Sequence, residues 1–217
     1  MLGLVFYLEG IYFCCFRQPT TTSLILSFPV PPFTTIRGFL ENAIGYEKDS
    51  FALQEKDLLI GIRPLSEIEK TTELTKLLKL KENEPCFKRT FPSSPMFKTF
   101  LVNPKYKVYL VGDNKLIKEI AEKLKDPSRP LYLGQSDDFV DVKNIETMEV
   151  EKTKSLKIYS VIEGFHENCE IVKLPYKFIN NGKDVEMKII SIPKKFPLKL
   201  KEEVECFKFG EEYVWCV

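Results

Sequence analysis

Apolar and polar positions along this chain fall into two periods. From Leu2 to Phe16 β-branched and aromatic residues follow one another closely, which predicts one long buried strand or a bent pair with Gly10 as a bulge. Phe16-Arg17-Gln18-Pro19 ends that run, and Thr20 to Ser23 reads as a polar loop. The period changes in FPVPPFTTIRGFLENAIGY, residues 28 to 46. Pro29, Pro31 and Pro32 hold an extended lead-in, because proline fixes φ and donates no hydrogen bond. Thr34 or Thr35 is the expected N-cap of a helix. Ile36, Phe39, Leu40, Ala43 and Ile44 then fall at helical spacing and draw one apolar stripe, and Gly45 suits the C-terminal cap. Arg37, Gly38, Glu41 and Asn42 lie on the opposite face.

Lys56 to Leu65 predicts a buried strand that stops at Pro64. Ser66 to Lys81 is ambiguous, since its leucines are spaced for a helix while threonines interrupt it; it reads as a helix or an irregular excursion. Cys86 to Thr90 and Met96 to Val102 read as a hairpin joined by a Pro-Ser-Ser-Pro turn. Tyr106 to Val111 is a further strand. Asp113 or Asn114 then caps a second helix, whose stripe is Leu116, Ile117, Ile120, Ala121 and Leu124 and which Pro127 ends. Residues 129 to 142 cross a glycine-containing turn into a strand. The order strand, helix, strand, hairpin, strand, helix, strand is that of an α+β, ferredoxin-like βαββαβ domain over residues 1–146, the layout of RNA recognition motifs. From Thr147 onward the pattern shortens to strands at 156–162, 170–174, 177–179 and 187–192, with Asn180-Asn181-Gly182 as a hairpin turn. Residues 147–217 therefore read as a small β-rich appendage packed on the first unit.

The chain has 217 residues, 44% of them hydrophobic, enough for a substantial core and too many for a disordered protein. Its 32 basic and 31 acidic residues nearly cancel, so partners must be read from their distribution. Six cysteines show no CxxC spacing and His166 is the sole histidine, which argues against a structural zinc site and for reduced core thiols. The apolar start lacks a basic leader and a small-residue cleavage site, and Glu9 interrupts it; no segment approaches transmembrane length, so a cytoplasmic protein without membrane contact is expected. Abundant lysine and glutamate, with glutamine only at 18, 54 and 135, is a composition found in proteins from hot environments.

Two stretches could carry chemistry. Thr34, Thr35, Arg37 and Gly38 at a helix start offer hydroxyls, free N–H groups, a guanidinium and close backbone approach, which would suit a phosphate; an ordinary capped helix with a solvated arginine is the plainer account. Between Pro85 and Gly112 there are five basic residues, Lys88, Arg89, Lys98, Lys105 and Lys107, and no acidic one. Phe87, Phe91, Phe97, Phe100 and Tyr106 interleave them, a mixture that lets a strand pair contact both phosphates and bases; a hairpin with core aromatics and solvated lysines accounts for it equally well. A second run carries Lys188, Lys194, Lys195, Lys199 and Lys201, but glutamates follow at once, and a solvated face is the simpler reading. No GxSxG, P-loop or HExxH motif is present. His166 reads as an inert loop residue, although a metal-independent ribonuclease could use it as a base, and Asp137 with Asp138 reads as a loop cap rather than a metal site.

Phe16 to Pro19, residues 28 to 46 and RPLYLGQSDD at 129 to 138 together resemble the signatures of CRISPR-associated protein family five, of the RAMP superfamily. The resemblance covers residues 1 to about 145. It implies a ferredoxin-like RAMP domain with a thumb-like β-hairpin at about 86–102, no cofactor or metal, and no catalysis. It implies that the chain caps the 5′ handle of CRISPR RNA in a type I Cascade surveillance complex, an antiviral assembly, beside its backbone and large subunits; the alternatives are a metal-independent endoribonuclease that processes the precursor RNA and a general nucleic-acid binder that also accepts double-stranded DNA. By position in the motifs, Arg17, Thr34, Thr35, Arg37 and Gly38 would contact the handle, as would Gln135 and Ser136, while Lys88, Arg89 and Lys98 would lie on the thumb. One branch of the family cleaves precursor RNA; its tyrosine, lysine and histidine set has no match here.

Overall fold

A computed structural model describes residues 1–19, 24–78 and 93–217. The opening run folds as a bent pair, β1 (Leu2–Gly10) and β2 (Phe13–Cys14), followed by β3 (Leu24–Ile25). Gly10 pairs in register with Val140 and is not a bulge. The extra residue sits on the partner strand, where Val5 faces Glu146, Tyr7 faces Lys143, and Asn144 takes φ 51°. Asparagine tolerates that left-handed backbone better than most residues, which places the irregularity there. The polar loop expected at Thr20 to Ser23 lies outside the described residues.

The first helix, α1 (Phe33–Ile44), begins two to three residues earlier than expected. Its N-cap is Pro32, with no side-chain cap, and the Pro32 carbonyl accepts from the Ile36 N–H at 3.1 Å. The proline lead-in sets the start, and the Tyr106 hydroxyl holds it by donating to the Pro29 carbonyl at 3.0 Å. Thr34 and Thr35 consequently sit inside the first turn. The predicted apolar stripe is buried, and Gly45 closes the helix at φ 96° with its N–H on the Glu41 carbonyl.

The next strands are β4 (Leu58–Pro64), β5 (Lys70–Leu78), β6 (Ser93–Val102) and β7 (Lys105–Gly112). The ambiguous 66–81 segment thus contributes a strand and not a helix. Threonines at 71, 72 and 75 favour the extended chain, and the Thr72 hydroxyl meets that of Thr99 across the ladder at 3.1 Å. The hairpin is made by β5 with β6, so Ser93, Ser94 and Pro95 belong to a strand instead of a turn. The strand expected at Cys86 to Thr90 lies outside the described residues. Next come α2 (Asn114–Lys125), capped by the Asp113 carboxylate on the N–H groups of Lys115 and Leu116, and β8 (Val140–Glu149).

Strands β4, β7, β1 and β8 lie in that order in one sheet, every neighbour antiparallel. One face carries Leu4, Phe6, Leu8, Ile60, Ile62, Val108 and Leu110 against the stripes of both helices. The remaining strands are β9 (Glu151–Ile158), β10 (Ile162–Glu163), β11 (Cys169–Ile179), β12 (Asp184–Pro193), β13 (Leu198–Phe209) and β14 (Glu212–Val214). They form two three-stranded sheets, β10-β12-β11 and β14-β13-β9. The second covers the other face of the central sheet, where Val5, Tyr109 and Val111 meet Phe207, Phe209 and Val214. Gly61 permits the approach, because a Cβ there would lie 2.6 Å from Val214 Cγ1. Strand β11 runs continuously through Pro175, where two shorter strands were expected, with a register shift before Lys177. Asn180, Asn181 and Gly182 all take positive φ in the turn that follows, as the sequence indicates. The described cysteines are free thiols; Cys14, Cys15 and Cys206 are buried.

Candidate nucleic-acid interface

Two of the distant signature segments are bound to each other. The Asp138 carboxylate, buried by the fold, accepts the Cys15 N–H at 2.8 Å, and the Cys14 thiol donates to the Leu133 carbonyl at 3.0 Å. Gly134, at φ 104°, lies so close that a Cβ would stand 2.8 Å from the Cys15 carbonyl oxygen. The glycine and the second aspartate of YLGQSDD are thus a docking device for the strand leading to Arg17. That aspartate is a loop cap, as expected, and burial raises its pKa. Arg17 itself is exposed, on a bridge to Ser27.

The third segment joins through α1. Asn42 donates to the Pro130 carbonyl at 2.8 Å, and the Arg129 guanidinium donates to the Tyr46 and Gly45 carbonyls, capping the negative end of the helix. Sequence reasoning passed over Arg129, because a cation that caps a helix distant in sequence leaves no local pattern. A cavity of about 310 Å³ runs between α1 and this loop, lined among others by Thr34, Thr35, Gly38, Tyr132 and Gly134. Gly38 is exposed, and a Cβ there would meet nothing within 4 Å. A helix-interior glycine costs roughly 1 kcal/mol against alanine, and no packing within the described residues requires it. An open strip of helix backbone results.

Arg37 departs from the expected solvated position. It is 4% exposed, with one terminal N–H on the Tyr176 carbonyl at 2.8 Å, another on the Leu58 carbonyl at 3.5 Å, and its guanidinium over the Tyr176 ring. Burial lowers its pKa, opposed by Tyr176 and Glu41. Arg37 thereby ties α1 to β11, a strand that the helix pattern alone could not reveal. Glu41, expected on the open face, is also buried and accepts the Leu53 N–H at 2.8 Å.

Of the basic hairpin residues, Lys88 and Arg89 lie outside the described residues, as do Phe87 and Phe91. Lys98 on β6 reaches Gln135, donating to its side-chain oxygen at 2.6 Å, while its ammonium sits 4.4 Å from the Phe100 ring centroid. The structure therefore unites two candidates that the sequence placed 37 residues apart. Ser136 beside them is exposed, its hydroxyl 3.4 Å from Asp137. Phe97 is 55% exposed, whereas Tyr106 is core. Lys105 and Lys107 face Glu9 and Glu212 and are neutralised within the fold. Lys98, Gln135 and Ser136 accordingly lie together next to Gly134, which lines the α1 cavity and abuts the Cys15–Phe16 segment that leads to Arg17, so hydroxyls, an amide and two cations border this region where a phosphodiester could approach.

His166 lies elsewhere, between β10 and β11, its ring nitrogen 3.0 Å from the Glu163 carbonyl oxygen. Among the described residues no cluster of histidine, cysteine, aspartate and glutamate has the makings of a metal site. No helix among them is long and apolar enough to cross a membrane.

The family model described as CRISPR-associated protein (Cas_Cas5) matches residues 3–173. No curated protein matches the chain. Among solved structures, a chain of a "CRISPR RNA-guided surveillance complex" superposes with TM-score 0.59 at 13% identity, covering 92% of this chain and 95% of that one. A CRISPR protein from Archaeoglobus fulgidus gives 0.58 at 16% identity, covering 99% and 98%. A chain of a Type III-B Cmr-beta complex bound to cognate target RNA and AMPPnP gives 0.50 at 11% identity, covering 90% and 86%. These likenesses establish a shared fold.

Proposed function

The chain belongs to the CRISPR-associated Cas5 family, and from that membership we propose that it is a non-catalytic RNA-binding subunit of a type I Cascade-like effector complex in antiviral defence. It holds the 5′ handle of CRISPR RNA and abuts the backbone and large subunits. The observation that carries this reading is the convergence of the three signature segments, with Lys98, on one surface. The βαββαβ order of the central sheet supports a ferredoxin-like RAMP domain, with β5 and β6 as the base of the thumb. Arg17, Lys98, Gln135 and Ser136 contact the handle, and Thr34, Thr35 and Gly38 receive it along α1. Arg37 serves by positioning α1.

The test mixes purified protein with labelled repeat RNA in chelator and runs native and denaturing gels from one tube. The expected result is a shifted, intact RNA, displaced by handle but not by scrambled RNA, with affinity about tenfold weaker in Arg17→Ala or Lys98→Ala, as loss of one charge-assisted contact entails. An RNA cut in a His166-dependent manner would replace this reading with a processing ribonuclease. Equal displacement by unrelated duplex DNA would replace it with a general nucleic-acid binder.

A further inference from the structure

A cavity of about 790 Å³ lies far along the chain from the handle surface, in the C-terminal β part. Its walls arise from a local irregularity. Lys199 pairs with Lys157 and Val204 with Ser155, so residues 200–203 of β13 bulge away from β9. Opposite the bulge stands the turn 165–168, tied to it by the Lys201 ammonium on the Glu167 carboxylate at 2.6 Å. Four lysines line the groove against two glutamates, one of them engaged by Lys201. Lys194, Lys195 and Lys199 are exposed and form no ion pair among the described residues. Phe165 on the rim is 74% exposed, the most exposed aromatic ring among the described residues, with Tyr12 following at 73%.

We propose that this groove is a second RNA-binding surface, taking a single-stranded segment with its phosphates on Lys194, Lys195 and Lys199 and a base stacked on Phe165. An acidic protein segment would explain the lysines but would leave the bare ring without a role, whereas unpaired cations beside an aromatic face are what a flexible strand requires. The sequence hid the groove because Glu202, Glu203 and Glu205 follow the lysines closely. In the fold Glu205 is engaged by Lys152 instead. The inference goes beyond handle recognition and does not depend on it.

The test uses the full chain and an unstructured decauridylate. Replacing Lys194, Lys195 and Lys199 together by alanine should lower the slope of log affinity against log salt by about 2, at about 0.7 per phosphate contact of a single strand. Phe165→Ala should weaken binding about tenfold without changing that slope. A thiouridine-containing oligomer should crosslink to residues 165–168, and should still do so in Arg17→Ala and Lys98→Ala, which separates this surface from the handle site. All these substitutions are at the surface, and an unchanged melting temperature checks the fold. An unaltered slope in the triple variant, or crosslinks confined to the Arg17 and Lys98 surface, would overturn the proposal. So would a polyglutamate peptide that binds more tightly than the oligonucleotide and depends on the same lysines.

Discussion

The two faces of the central sheet are closed by different chemistry. On one, the helices lay apolar stripes over Leu4, Phe6 and Leu8. On the other, a small sheet adds an apolar patch fastened by a polar clamp, in which Glu212 accepts from Arg63, from Lys107 at 2.6 Å and from the Tyr109 hydroxyl at 2.8 Å. An RNA recognition motif leaves that second face open and stacks bases on it. Here β13 and β14 occupy it, so the shared layout cannot imply shared use of the sheet. Both proposed RNA surfaces accordingly lie at the margins of that sheet, on β6 with the loop 129–138 and in the groove of the C-terminal part.

Removing the clamp should have the largest effect. Glu212→Ala leaves two cationic side chains, each no more than 21% exposed, facing an apolar gap. Loss of one partner of such a pair costs about 3 kcal/mol. The matching change beside the helix face, Asp113→Ala, removes an exposed N-cap and should cost about 1 kcal/mol. Guanidinium midpoints at constant m compare the two directly; equal losses would mean that the polar clamp adds nothing beyond the patch around it.

Arg37 comes next, because it ties α1 to β11. Arg37→Ala orphans the Tyr176 carbonyl and should cost about 2 kcal/mol, while Arg37→Met, which fills the same space, should recover part of that loss. RNA affinity measured on folded protein should stay near the parent value in both. A selective fall in affinity without loss of stability would return Arg37 to the interface.

The helices, the central strands and the cap glycine at 45 were legible because each depends on local periodicity or on residues next to one another. The strand character of Lys70–Leu78 was not, since its leucines mimic a helix and only the pairing with β6 settles the matter. Strand β13 escaped for a related reason: the bulge breaks its alternation in the middle, and its charged residues read as a solvated face. The signature motifs picked out the proposed handle residues as a group without separating those that face outward from those that hold the group together. Arg17 and Arg37 have the same chemistry and differ only in what the fold places around them. Arg37 looked solvent-facing because its covering strand begins more than a hundred residues later.

The smallest expected effect is also the most direct contrast of the two faces, because each holds a glutamate shifted in the opposite sense. At Glu212 burial pushes the pKa up, but hydrogen bonds from Lys107 and Tyr109, with the charges of Lys107 and Arg63, outweigh it and leave the carboxyl below its ordinary value of 4.5. The unfolded chain binds this proton more readily, so Glu212 stabilises the fold above the ordinary range and the benefit is lost as pH falls through it. At Glu41 burial prevails over the Leu53 N–H and the charge of Arg37, and the pKa is raised. Its contribution is full below the ordinary range and declines as pH rises through the shifted value. Denaturation between about pH 6 and about pH 4, the span around ordinary carboxylate titration, should therefore show a flatter loss of stability on acidification in Glu212→Gln and a steeper one in Glu41→Gln. Curves that shift in the same direction in both variants would mean that the faces do not differ in how they hold charge.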